Sequence, residues 1–128
     1  MDFLSDEWFE EMKDRTGQRL SRPGKVDVTY CEVYTDCPGS EKERWIYGVV
    51  RDSILQDMTM GTGTHPDADY VCTGTCADHA AVTKGKINDK AALLSGKFKL
   101  KGNMMKALKL IGIYNAFTEG KKVPGTTF

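Results

Sequence analysis

Apolar residues Phe3, Leu4, Trp8, Phe9 and Met12 recur at helical spacing, with Asp6, Glu7, Glu10, Glu11 and Asp14 on the other side. This pattern predicts an amphipathic helix capped by Ser5 and closing near Gly17, its early acids placed at the positive end of the helix dipole. From Lys25 the period changes to two. Val26, Val28 and Tyr30 face one way and Asp27 and Thr29 the other, as in a half-buried strand. Residues 43–51 form a second strand that is apolar on both parities, which predicts cover on both faces. A third strand over Ser53–Met60 follows a short turn, a loop occupies Gly61–Asp69, and Tyr70–Thr75 is a fourth strand.

Ala77–Thr83 then reads as a short helix, with Thr75 the expected cap. Asn88 caps a second short helix over Asp89–Ser95 that Gly96 closes. Lys97–Lys101 alternates, with Phe98 and Leu100 inward and three lysines outward. Asn103 starts the last main helix, running from Met104 to about Tyr114–Phe117, and residues 121–128 are expected to be a loose tail. The order predicts an α+β fold: about five strands, mostly antiparallel, with helices on one face and the fifth strand a candidate for parallel pairing.

The last helix is too apolar for an ordinary cover. Met104, Met105, Leu108, Leu110, Ile111, Ile113, Tyr114 and Phe117 surround most of its circumference, where one stripe suffices. The bland explanation is deep burial. The functional one is that one arc faces the sheet and another a cavity, with adjacent methionines adapting to a guest and Gly112 as a weak point. The preceding short helices are rich in alanine, which leaves volume beneath them.

At 128 residues the chain is the size of one domain. Eighteen basic and eighteen acidic residues cancel, which excludes a nucleic-acid binder working through bulk charge. The halves differ: residues 1–64 hold 8 basic and 13 acidic groups, residues 65–128 hold 10 and 5. Between Lys84 and Lys109 stand eight lysines against one acid, Asp89, so the basic surface coincides with the apolar helices. The acidic N-terminus differs from a secretion signal and no apolar run reaches membrane-span length, so a cytoplasmic protein is expected.

Cys31, Cys37, Cys72 and Cys76 are accordingly expected to be reduced. A metal site on Cys72, Cys76 and His79 with Cys31 or His65 lacks the usual ligand spacing, so no metal is expected. No nucleophile signature surrounds any cysteine, and the Gly61–Thr64 stretch lacks the third glycine and lysine of a phosphate loop. No catalysis and no cofactor are expected.

The stretch Thr83–Leu110, in particular Thr83-x-Gly85-Lys86, Ala91-Ala92-Leu93-Leu94-x-Gly96-Lys97, Phe98-Lys99-Leu100-x-Gly102-Asn103-Met104 and Ala107-x-Lys109-Leu110, resembles the sterol carrier protein type 2 domain. The resemblance implies a five-stranded sheet whose helices enclose an apolar tunnel for acyl chains or sterols. It departs at Ala80, Ala81 and Val82, where bulky residues are commoner. It also departs at the C-terminus, Thr126-Thr127-Phe128, which is no peroxisomal address.

Together these readings give a non-catalytic carrier of a fatty-acyl, sterol or isoprenoid-type lipid that exchanges it at anionic membranes or with enzymes. The expected ligand contacts are Trp45, Tyr47, Val82, Leu93, Phe98, Leu100, Met104, Met105, Leu108 and Ile111. Lys97, Lys101, Tyr114 and Asn115 are the head-group candidates. The competing reading is a ligand-free scaffold or homodimerisation module that uses the same apolar helix.

Overall fold

The computed structural model describes all 128 residues, Met1–Phe128. Ten elements follow in order: α1 (Asp6–Arg19), β1 (Val28–Thr35), β2 (Arg44–Arg51), β3 (Ile54–Thr62), β4 (Tyr70–Thr75), α2 (Cys76–Thr83), α3 (Asp89–Leu94), β5 (Lys99–Gly102), a 3-10 helix (Met104–Lys109) and α4 (Leu110–Gly120). The five strands form one sheet in the order β3-β2-β1-β4-β5, with the helices on one face. The α+β class and the strand number agree with the expectation.

Strand pairing corrects one point. β5 runs antiparallel to β4, and the parallel pair is β1 with β4, Tyr30 opposite Tyr70 through Thr35 opposite Thr75. A parallel neighbour needs a long crossover, and the β2–β3 hairpin between β1 and β4 supplies it. β1 is thereby the central strand. It is buried on both parities by its place in the middle of the sheet, whereas β2 alternates, so the strand expected to be apolar on both faces is not the one most buried.

Local signals in the chain act as read. Ser5 accepts the Trp8 N–H, Thr75 that of Asp78, and Asn88 those of Lys90 and Ala91, satisfying donors that a helix start leaves open. Gly96 takes φ +81° just beyond α3, a conformation glycine adopts without strain. At Gly48 the reason for glycine is space: the Phe117 ring lies where a Cβ would stand, which brings α4 down onto β2.

The predicted last helix is two elements. Asn103 accepts the Met105 N–H and starts the 3-10 stretch, and regular α-helix begins only at Leu110. The C-terminus is packed and does not form the expected loose tail. Lys121 and Val123 are buried, the Thr127 N–H donates to the Met1 carbonyl, and Asp2 forms a bridge with Thr127. Val123 joins the apolar core and the Phe128 ring lies 5.1 Å from that of Phe3, while most other residues of the segment are exposed.

Cys37 and Cys76 are joined in a disulfide, Cα atoms 5.0 Å apart, which overturns the expectation of four reduced thiols. The parallel register explains the meeting. Thr35 faces Thr75, so the residues just past the two strand ends converge from 39 positions apart.

Candidate functional site

The two apolar arcs of the C-terminal segment separate cleanly. Leu110, Ile113, Ala116 and Phe117 are buried against the sheet. Met104, Leu108 and Ile111 are exposed, as is Met105 at 94% of its surface. Between this outer arc, α3 and β5 lies a cavity of about 440 Å³, within the range of sites for small ligands. Leu93, Leu100, Met104, Ala107, Leu108, Leu110 and Ile111 line its apolar wall, with Cys72 and Tyr114 towards the sheet. Asp89, Lys90 and Asn115 complete the lining.

Of the residues expected to touch a ligand, Leu93, Leu100, Met104, Leu108 and Ile111 stand on this lining. Met105 lies outside it, pointing its exposed side chain away from the core. Phe98 is a core residue stacked on His79, with ring centroids 4.5 Å apart, and Val82 is buried in the core and borders a second cavity. Trp45 and Tyr47 are on the other face of the sheet: they alternate with Ile46 and Gly48, and Gly48 faces Phe117. Strand parity alone does not say which face carries the helices. Among the head-group candidates, Tyr114 and Asn115 line the cavity, Lys97 approaches Asp78 at 3.9 Å, and Lys101 lies on the helix-free face of the sheet. The cavity is open on its exposed flank, and an enclosed tunnel is not shown.

Behind the cavity wall is a polar cluster that the sequence pattern did not disclose. Glu32, on the inner side of β1, is 1% exposed and lies 2.9 Å from the Lys121 ammonium. Tyr30 and Tyr34 donate their hydroxyls to its two oxygens at 2.9 and 2.8 Å. Burial by itself raises the Glu32 carboxyl, but Lys121, His79 and the hydrogen bonds outweigh it and hold it below its ordinary value. Burial first, then the Glu32 charge, drives Tyr30 and Tyr34 well above theirs. The available signal was the alternation Tyr30, Glu32, Tyr34, which puts the acid on the apolar parity; its cation is 89 residues away, in a segment that reads as tail.

The same surroundings quench nucleophilic chemistry. Burial, then Glu32, pushes the thiols of Cys31 and Cys72 up to about 12, so both are protonated at neutral pH. His79 donates from Nε2 to the Val33 carbonyl at 3.1 Å, and burial followed by Lys121 lowers it to about 3. Its Nδ1 has no partner. No group of three or more His, Cys, Asp or Glu side chains is gathered for a metal, and Cys76 is committed to the disulfide.

Residues 53–115 match the SCP-2 sterol transfer family. In fold the chain is similar to a crystal structure of sterol carrier protein 2, at TM-score 0.75 and 15% identity, over 92% of this chain and 95% of that one. It is similar to a conserved hypothetical protein of Thermus thermophilus, possibly a sterol carrier protein, at TM-score 0.69 and 14% identity, over 95% and 89% of the two chains. It is also similar to the palmitated Sterol Carrier Protein 2 Like 2 of Aedes aegypti at TM-score 0.54 and 19% identity, over 84% and 92%. Compared with curated protein sequences, the chain finds no match. The match over residues 53–115 and the shared fold make the chain similar to the SCP-2 sterol transfer family. No helix is long and apolar enough to cross a membrane.

Proposed function

We propose that the chain is a non-catalytic lipid carrier that takes an acyl, sterol or isoprenoid chain into the cavity between α3, β5 and the Met104–Ile111 segment. One observation carries this: an apolar cavity of about 440 Å³ whose wall includes Met104, Leu108 and Ile111, each at least half exposed. Burying each CH₂ of a guest is worth about 0.8 kcal/mol, so a sixteen-carbon chain gains on the order of 10 kcal/mol before ordering costs. A guest also covers protein surface, because Leu108 is 82% exposed. The palmitated Aedes aegypti protein of the same fold supports an acyl ligand.

Exchange takes place at an anionic membrane. Leu94, Met105 and Leu108 are exposed apolar side chains on α3 and the 3-10 stretch, and Lys86, Lys90, Lys97, Lys106 and Lys109, on or next to these elements, are exposed as well. Each lysine near an anionic surface contributes about 1 kcal/mol of attraction, which turns the cavity mouth towards lipid. The 3-10 stretch is the mobile door, since it buries no residue of its own and its hydrogen bonds are of poorer geometry than those of α4.

Two variants separate loading from docking. Leu108→Glu puts a charge on the cavity wall and is expected to abolish uptake of a fluorescent long-chain fatty acid. Met105→Glu, outside the lining, is expected to retain uptake and slow transfer to anionic vesicles. Uptake unchanged in Leu108→Glu removes the cavity from consideration. A ligand-free dimer in native mass spectrometry of freshly purified protein selects the scaffold reading, and copurifying lipid selects the carrier.

A further inference from the structure

A second cavity, of about 290 Å³, adjoins the first. The two share Asp89 and Asn115 on their linings and so adjoin between α3 and α4. Their linings differ in kind. Asn115, Thr118, Glu119 and Lys122 follow one another at helical spacing along the C-terminal half of α4 and just beyond it, and they face Asn88 and Asp89 across the second cavity. The C-terminal segment is thus apolar where it borders the first cavity and polar where it borders the second. An amphiphile that spanned both would have its chain in one and its polar end in the other.

The charges and hydrogen bonds of the polar cavity restrict what that end can be. Lys122 is its one cation and is held by Glu119 at 2.9 Å. Asp89 has no cationic partner. Its Oδ1 accepts the Lys90 N–H at 2.8 Å, which leaves Oδ2 free to accept from a guest. Thr118, which is buried, adds a hydroxyl, and the Asn115 side chain makes no hydrogen bond within the protein and offers both a carbonyl oxygen and an amide N–H pair. Lys90 borders the neighbouring apolar cavity and is exposed to solvent. A carboxylate brought into this cavity loses water beside two fixed negative groups, of which one is uncompensated.

We propose that the polar cavity is the head-group site of the bound lipid, and that it selects a head group that donates hydrogen bonds and bears no negative charge, a hydroxyl or glycerol in place of a free carboxylate. This rests on the carrier reading above and narrows its ligand class.

The test is competition against a bound pyrene-labelled hydrocarbon chain, with monopalmitoylglycerol and palmitate as the two competitors. Monopalmitoylglycerol is expected to bind about tenfold more tightly, the order produced by one like charge at a part-solvated site. Asp89→Asn removes the charge and preserves the shape; it is expected to bring palmitate to within about threefold of the glyceride. Equal affinities in the unaltered protein, or a preference that Asp89→Asn leaves unmoved, overturn the head-group assignment while the carrier reading stands. If the pyrene probe itself fails to bind, the carrier reading falls and the head-group site with it.

Discussion

Glu32 and Lys121 lie in the middle of the apolar layer, where each alone would be costly. Removing one partner of such a pair leaves a buried charge, so Lys121→Met is expected to destabilise the fold by about 3–5 kcal/mol in urea unfolding. Replacing both, Glu32→Gln with Lys121→Met, is expected to recover most of that loss, because no bare charge remains. A double variant as unstable as the single one would show that the pair acts through something other than charge. His79 sets a pH dependence of definite sign. Its value falls to about 3 in the folded protein, so in the window from 6.5 down the unfolded chain binds the proton that the native state refuses. The stability it supports is complete above 6.5 and is lost progressively as pH falls towards 3. Thermal unfolding between about pH 6.5 and 5, above the range where Glu32 titrates, is expected to show this slope in the natural chain and a flatter one in His79→Gln.

The most consequential junction between elements is the one between β1 and α2, where Cys37 and Cys76 meet. Closing a loop of this length restricts the unfolded chain by about 4 kcal/mol on the chain-entropy model. A reductant, or the pair Cys37→Ser and Cys76→Ser, is therefore expected to lower the melting temperature by about 10–20 °C while circular dichroism at low temperature stays the same. Invariance to reductant would mean that the two thiols are not bonded in solution. The cavity door is built with the opposite logic. Asn103 gives the 3-10 stretch a start, but nothing covers it, whereas α4 is fixed by Phe117 over Gly48, by the buried Lys121 and by Arg15, which donates to the Glu119 and Gly120 carbonyls at 3.3 Å. One end of the C-terminal segment is pinned and the other is free to yield to a guest.

Taken as one molecule, the protein divides its labour across the sheet. The inner face carries the helices, the charged cluster and both cavities. The outer face carries Trp45, Tyr47, Val71 and Thr73 with no helix over them. Lys86, Lys90, Lys106 and Lys109 are exposed on the helical side, whereas Lys99 and Lys101 lie on the helix-free face and Lys121 is buried, so the charge asymmetry read along the chain is only in part an asymmetry in space. Salt is accordingly expected to slow transfer to anionic vesicles and to leave equilibrium loading nearly unchanged, since screening acts on exposed charges and not on apolar burial. Stopped-flow transfer at low and high ionic strength measures both.

Much of this was legible beforehand. Short-range signals placed Ser5, Thr75, Asn88 and Asn103 as caps, alternation placed the strands, and the excess of apolar residues after Asn103 marked the segment that lines the cavity. These succeed because capping, pleat and helical period act over a few neighbouring residues, all of them visible in the chain. What required the folded molecule were relations between distant positions. The parallel β1–β4 pairing brought Cys37 to Cys76. The packed C-terminus brought Lys121 to Glu32. The choice of sheet face put Trp45 and Tyr47 away from the cavity. Periodicity fixes which residues share a side but carries no information about which side is covered, or by what. That is decided by the whole set of contacts at once.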